Sequence, residues 1–89
     1  MAFQSYASEL FWQLYSELPA EVQRLADKQY ELFRQDPFHR SPHLKQVGEV
    51  WTVRVGRSDR AIGYREGDIF RWGWIGSHEA YNKVLHRTK

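Results

Sequence analysis

The sequence predicts an α+β fold: an N-terminal helical hairpin packed on a three- to four-stranded antiparallel sheet, closed by a short C-terminal helix. Three observations carry this. Apolar residues recur at helical spacing through the first third of the chain, they alternate from Val50 onward, and Pro37 and Pro42 separate the two regimes. Runs of helices followed by runs of strands are the mark of an α+β layer, in which the helices cover one sheet face and leave the other free.

The elements follow in order. In SELFWQLYSEL, Phe11, Leu14, Tyr15 and Leu18 share one helical face, and Ser8 is placed to cap the first turn. Pro19 then opens a second helix, PAEVQRLADKQYELFRQD, whose stripe runs through Val22, Leu25, Ala26, Gln29 and Phe33. Proline is tolerated in a first turn because its missing N–H would be unpaired there, and Glu21 suits the positive helix end. The Leu18-Pro19 junction therefore predicts an antiparallel hairpin. DPFHRSPH, residues 36–43, stops the second helix. Leu44 to Val47 is a candidate short strand. VWTVRVG sets Trp51, Val53 and Val55 against Val50, Thr52 and Arg54. RAIGYRE follows as the next strand, and Gly67-Asp68 links it to IFRWGWI, where strict alternation sets Phe70, Trp72 and Trp74 against Ile69, Arg71, Gly73 and Ile75. The last helix starts near Ser77, with Tyr81, Val84 and Leu85 as its apolar contacts.

At 89 residues the chain is expected to form one domain spanning 1–89. It has no cysteine, so disulfides and thiolate metal sites are excluded, and a reducing cytoplasm is the expected compartment. No run of 18 apolar residues occurs, and the N-terminus lacks a basic segment followed by an apolar one, so neither membrane nor export is expected. Charge is unevenly spread. Residues 1–36 hold three Lys/Arg against six Asp/Glu, whereas residues 37–89 hold ten against five. The basic half is mostly arginine, whose planar fork suits phosphate, so a polyanionic partner is one reading and a solvated strand face is the other.

The alternation also sorts these cations. If Trp51, Val53 and Val55 face the helices, Arg54 projects from the opposite side, Arg60 begins the neighbouring strand, and Lys45 lies just before the meander. Three cations converging on one surface would make a phosphate clamp. The alternative is that Arg54 or Arg60 pairs with Asp59, Glu66 or Glu79. His78 falls at the start of the last helix, between Ser77 as cap and Glu79. A helix N-terminus disfavours an imidazolium, so a neutral ring there could accept a proton. Alternatively the ring packs on Trp74 and bonds a backbone carbonyl. Tyr81, three residues on, shares that helical face. His39 and His43 are separated by Pro42-containing loop sequence, which argues against a metal site.

The whole pattern resembles the RelE/ParE toxin superfamily of bacterial type II toxin-antitoxin systems. The resemblance runs through FWQLYSELPAEVQ, AxKxYxLFxxDPxH, HLKxV, WTVRVG, RAIG and WGWIGSHEAYNKVL, and its most specific parts are the LP hinge, the "VRV…RAIGY" strands and the closing "WIGSHEAY". It implies a RelE-like fold and, in the ribonuclease branch, an endoribonuclease (mRNA interferase) that cleaves messenger RNA on the ribosome by attack of a ribose 2′-hydroxyl, with no cofactor and no metal. A second branch inhibits DNA gyrase. By the resemblance, Arg54, Arg60, His78 and Tyr81 are the candidate catalytic residues. Lys45, His43, Arg57 and Lys83 are candidates to bind RNA or phosphate. His78 matches the histidine of a closing "GSH" motif, His43 a histidine before the central strand, and Asp59 an acidic position. Two departures stand out: Arg57 or Ser58 occupies the place of a further histidine, and Lys45 stands where other members have several lysines. The partners implied are a cognate antitoxin, the ribosome and messenger RNA.

Overall fold

The computed structural model describes residues 4–36 and 44–88, folded as a five-stranded mixed sheet with three helices. The strands are β1 (Gln4–Ala7), β2 (Lys45–Val47), β3 (Val50–Arg54), β4 (Asp59–Glu66) and β5 (Ile69–Ser77). The helices are α1 (Glu9–Ser16), α2 (Ala20–Gln35) and α3 (His78–Thr88). Spatially the strands run β1-β5-β4-β3-β2. The α+β class, the helical hairpin, the meander and the closing helix are all as the sequence leads one to expect.

The hairpin is set by short-range chemistry. The Ser8 hydroxyl accepts the Phe11 N–H at 3.1 Å, satisfying one of the donors that a helix start leaves open. Pro19 stands at the N-cap of α2. Across the joint, Gln23 Nε2 donates to the Tyr15 carbonyl at 2.9 Å and the Tyr15 hydroxyl donates to Asp27 Oδ1 at 2.7 Å. These bonds lock α1 against α2 where the chain reverses.

The core lies between this hairpin and the sheet. Phe33 of α2 meets Phe70 edge-on at 4.9 Å and Trp72 edge-on at 5.4 Å, while Phe70 and Trp72 stack at 5.9 Å. Val53, Val55, Ala61 and Ile75 complete the cluster. Phe70 and Ile75, at 0% and 2% exposure, are its most enclosed side chains. The alternation of β3 is as expected, with Val53 and Val55 inward and Arg54 exposed.

Two features differ from the sequence expectation. First, β1 adds a fifth strand, paired parallel with β5 from Gln4↔Ile69 to Ala7↔Trp72. It is anchored by the Trp72 Nε1–H donating to Ser5 Oγ at 3.0 Å. Second, strict alternation fails in β5. Ile62 pairs with Trp74 but Gly63 with Trp72, so Gly73 is an extra residue in a bulge. The bulge turns Ile75 rather than Trp74 into the core. Gly63 permits the close packing beside it, because a Cβ there would stand 2.7 Å from the Trp72 ring and 2.8 Å from the Arg71 carbonyl oxygen.

Candidate functional site

The face turned away from the hairpin carries an open cleft of about 530 Å³, lined by Leu44, Lys45, Thr52, Arg54, Arg60, His78 and Tyr81. Each side chain is positioned by an identifiable element. Arg54 ends β3 and Arg60 opens β4, and the two are register partners across the antiparallel ladder. Lys45 of β2 is the partner of Thr52 in β3, two residues before Arg54 and on the same face. Partners in such a ladder have Cα atoms roughly 5 Å apart, so the three cations share a very small area.

His78 is held by the sheet as well as by its helix. Its backbone N–H donates to the Ser58 carbonyl at 2.6 Å, which ties the start of α3 to the β3–β4 turn. Ser77 Oγ accepts the Ala80 N–H at 3.2 Å, the capping bond its position suggests. The exposed His78 ring stacks on Tyr81, with centroids 5.8 Å apart and planes 23° from parallel. Its ring partner is thus Tyr81, one helical turn on, instead of the Trp74 that the packing alternative named.

Electrostatically the cleft is one-sided. Its lining includes three cations and no carboxylate. Arg60 Nη1 donates to the carbonyls of Asp59 at 2.8 Å and Gly56 at 3.2 Å, which holds one end of its guanidinium to the backbone. Among the described residues no carboxylate forms an ion pair with Lys45, Arg54 or Arg60. The expected alternative pairing of Arg54 or Arg60 with Asp59, Glu66 or Glu79 is therefore not what the structure adopts. Glu66 instead pairs with Arg71 at 2.9 Å. Burial pushes the Asp59 carboxyl above the ordinary aspartate range, and the neighbouring Arg60 charge partly offsets it.

Of the eight residues singled out from sequence, five line this cleft: Lys45, Arg54, Arg60, His78 and Tyr81. Arg57 is exposed in the β3–β4 turn and Lys83 is exposed on α3, and neither belongs to the lining. His43 lies outside the described residues. Leu44 and Thr52 were not anticipated. Thr52 had a readable signal, since it alternates with Arg54 and so must share its face. It is buried beneath the cations, with its hydroxyl 3.4 Å from the Lys45 carbonyl.

Chemically, a carboxylate-free set of cations beside an imidazole and a phenol can bind a phosphodiester, stabilise extra negative charge on it and exchange protons with it. A family model, the ParE-like toxin domain, matches residues 20–83. The chain belongs to this family. The matched span includes most of the hairpin, the whole meander and the cleft residues just described.

The fold agrees with solved toxins of this kind at low sequence identity. A chain of the RelB–RelE antitoxin–toxin complex from Methanococcus jannaschii superposes with a TM-score of 0.73 at 11% identity, covering 89% of this chain and 96% of that one. An arginine double mutant of the E. coli toxin RelE in the free state gives 0.68 at 15% identity, covering 98% of each chain. The YoeB/ParE toxin from Agrobacterium tumefaciens gives 0.67 at 12% identity, covering 84% and 98%. No curated protein matches the sequence. The fold is thus shared with chains that differ from this one at most positions, so side-chain chemistry has to be argued from this chain itself. No helix among the described residues is long and apolar enough to cross a membrane.

Proposed function

We propose that this ParE-like domain is the toxin of a type II toxin-antitoxin pair and acts in the cytoplasm as a ribosome-dependent messenger RNA endoribonuclease. The observation that carries the reading is the convergence of Lys45, Arg54 and Arg60 with the stacked His78–Tyr81 pair in one carboxylate-free cleft. In this reading Arg54 and Arg60 grip the scissile phosphate. His78 takes the proton from the 2′-hydroxyl or supplies one to the departing 5′-oxygen, and solvent water exchanges the other proton. The 2′-oxygen bonds to phosphorus as the P–O5′ bond breaks, leaving a 2′,3′-cyclic phosphate and a 5′-hydroxyl. Lys45 stabilises the added charge on the non-bridging oxygens, and Tyr81 orients the flanking nucleotide by stacking. Arg57 and Lys83, exposed outside the cleft, contact more distant phosphates in this reading.

Incubating the purified protein with programmed ribosomes and mapping the message ends is the direct test. Cleavage within the A-site codon is expected, and intact message at large protein excess overturns the reading. The family label itself, ParE-like, favours a second reading: a non-catalytic toxin that binds a protein target such as DNA gyrase. Growth arrest separates the two, because Arg54→Ala and His78→Ala should both abolish arrest by cleavage, whereas full toxicity of both variants would favour the protein target. Several structural neighbours are antitoxin–toxin complexes, which supports a cognate antitoxin here as well. Co-expression with the small protein encoded beside this gene should give a stable complex and restore growth.

A further inference from the structure

The cleft carries more positive charge than a phosphodiester neutralises. A diester has one negative charge, whereas Lys45, Arg54 and Arg60 bring three cations to the lining and no carboxylate accompanies them. Among the described residues neither Lys45 nor Arg54 forms an ion pair. The Arg60 guanidinium is tethered through Nη1 to the Gly56 and Asp59 carbonyls, which leaves Nε and Nη2 as its donors toward a ligand. The positive end of α3 lies at the same rim, since His78 is both its first residue and part of the lining. Arg54 and Arg60 stand opposite each other in the ladder, so the fold holds a like-charge contact that an anion between them would relieve.

We infer that the cleft also binds free nucleotides that end in a phosphomonoester, and that these inhibit the toxin by competing with message. The inference rests on the reading of the cleft as a phosphodiester-cleaving site. Two arguments select this ligand. The first is charge. Attack on a diester places a second negative charge on the non-bridging oxygens at the transition state, and a phosphomonoester already holds about −1.5 to −2 at pH 7 on three acceptor oxygens. A group that matches the transition state in charge binds more tightly than the ground-state diester. The second is size and wall chemistry. The volume of about 530 Å³ falls in the range of roughly 300–1,000 Å³ usual for small-molecule sites. A phosphate group alone leaves most of it empty, and the stacked His78 and Tyr81 rings together with Leu44 offer a base flat and apolar surface beside the cations.

The test is isothermal titration of the free protein, without ribosomes, with the four nucleoside 3′-monophosphates, inorganic phosphate and the matching dinucleoside diesters. At least one monophosphate should bind roughly tenfold more tightly than its diester, and more tightly than inorganic phosphate. Arg54→Ala should weaken that monophosphate roughly tenfold, the loss of one charge-assisted contact. Arg24→Ala, which removes one charge from the exposed face of α2, should leave the titration unchanged. Tyr81→Ala should weaken the nucleotide and spare inorganic phosphate. The bound monophosphate should also raise the urea midpoint of the parent more than that of Arg54→Ala. On programmed ribosomes it should raise KM for message and leave kcat unchanged. Equal affinity for monophosphate and diester, inorganic phosphate as tight as every nucleotide, or equal losses in Arg24→Ala and Arg54→Ala overturn the inference. Tight monophosphate binding by a protein that leaves message intact would overturn the cleavage reading and keep the nucleotide site, and cleavage without a preference for the monophosphate would do the reverse.

Discussion

On one side of the sheet, Phe70 and Ile75 are sealed beneath Phe33, and the helices above them are tied together by Gln23 and Tyr15. On the other, Arg54 and Arg60 face each other across the β3–β4 ladder with no carboxylate between them. Like charges directly opposite on neighbouring strands oppose folding. The hairpin side therefore supplies the stability and the cleft side draws on it. The same sheet also divides the chain by sign, with the acidic first third on the hairpin side and the cations of the cleft on the other.

The contrast can be broken most severely from the packed side. Phe70→Ala removes a fully enclosed ring and should cost about 3–5 kcal/mol, abolishing the cooperative unfolding transition in urea and the cleft with it. Arg54→Ala sharpens the contrast. Its loss should reduce cleavage about 10²–10³-fold, as removal of one preorganised donor does, while the urea midpoint stays level or rises because the facing Arg60 loses a like-charged neighbour. A fall in stability matching the fall in activity would contradict the division of labour. Gly63→Ala tests the bulge between the two sides. A Cβ 2.7 Å from the Trp72 ring forces the strand to shift, at a cost of about 1–3 kcal/mol, so thermal unfolding should occur several degrees earlier.

The smallest effect concerns the hairpin lock. The bond to Asp27 raises the Tyr15 pKa above the ordinary tyrosine value, with burial and the Asp27 charge adding to it. A raised folded-state value means that this stabilisation is complete below about pH 10 and is lost as pH rises through the raised value. Tyr15→Phe should then cost only about 0.5 kcal/mol at neutral pH, since solvent competes at this exposed site. The difference from the parent should vanish in strongly alkaline buffer, as followed by urea denaturation at several pH values.

Much of this arrangement is legible in the linear sequence because its signals are local. A change from helical to alternating spacing marks the hairpin and the meander, and the proline after Leu18 marks the turn between the two helices of the hairpin. The i, i+2 rule places Arg54 opposite the core, and the i, i+3 rule sets Tyr81 beside His78. β1 leaves no such trace. QSYA is too short for a period to emerge, and its partner, Ile69–Trp72, lies more than sixty residues away. The Gly73 bulge is equally silent, because an extra residue in a ladder is visible only against the strand it faces.

By itself the sequence determined the order and type of the main elements, the supply of cations in the second half and the histidine at a capped helix start. Spacing along a chain decides these, since each depends on residues within a turn or a strand of one another. Only the tertiary structure decided which cations meet. It gathered Lys45, Arg54 and Arg60 around His78 and left Arg57 and Lys83 outside, and it paired Arg71 with Glu66. That selection depends on ladder register and on the Ser58–His78 bond, which join residues across strands at distances no periodicity records.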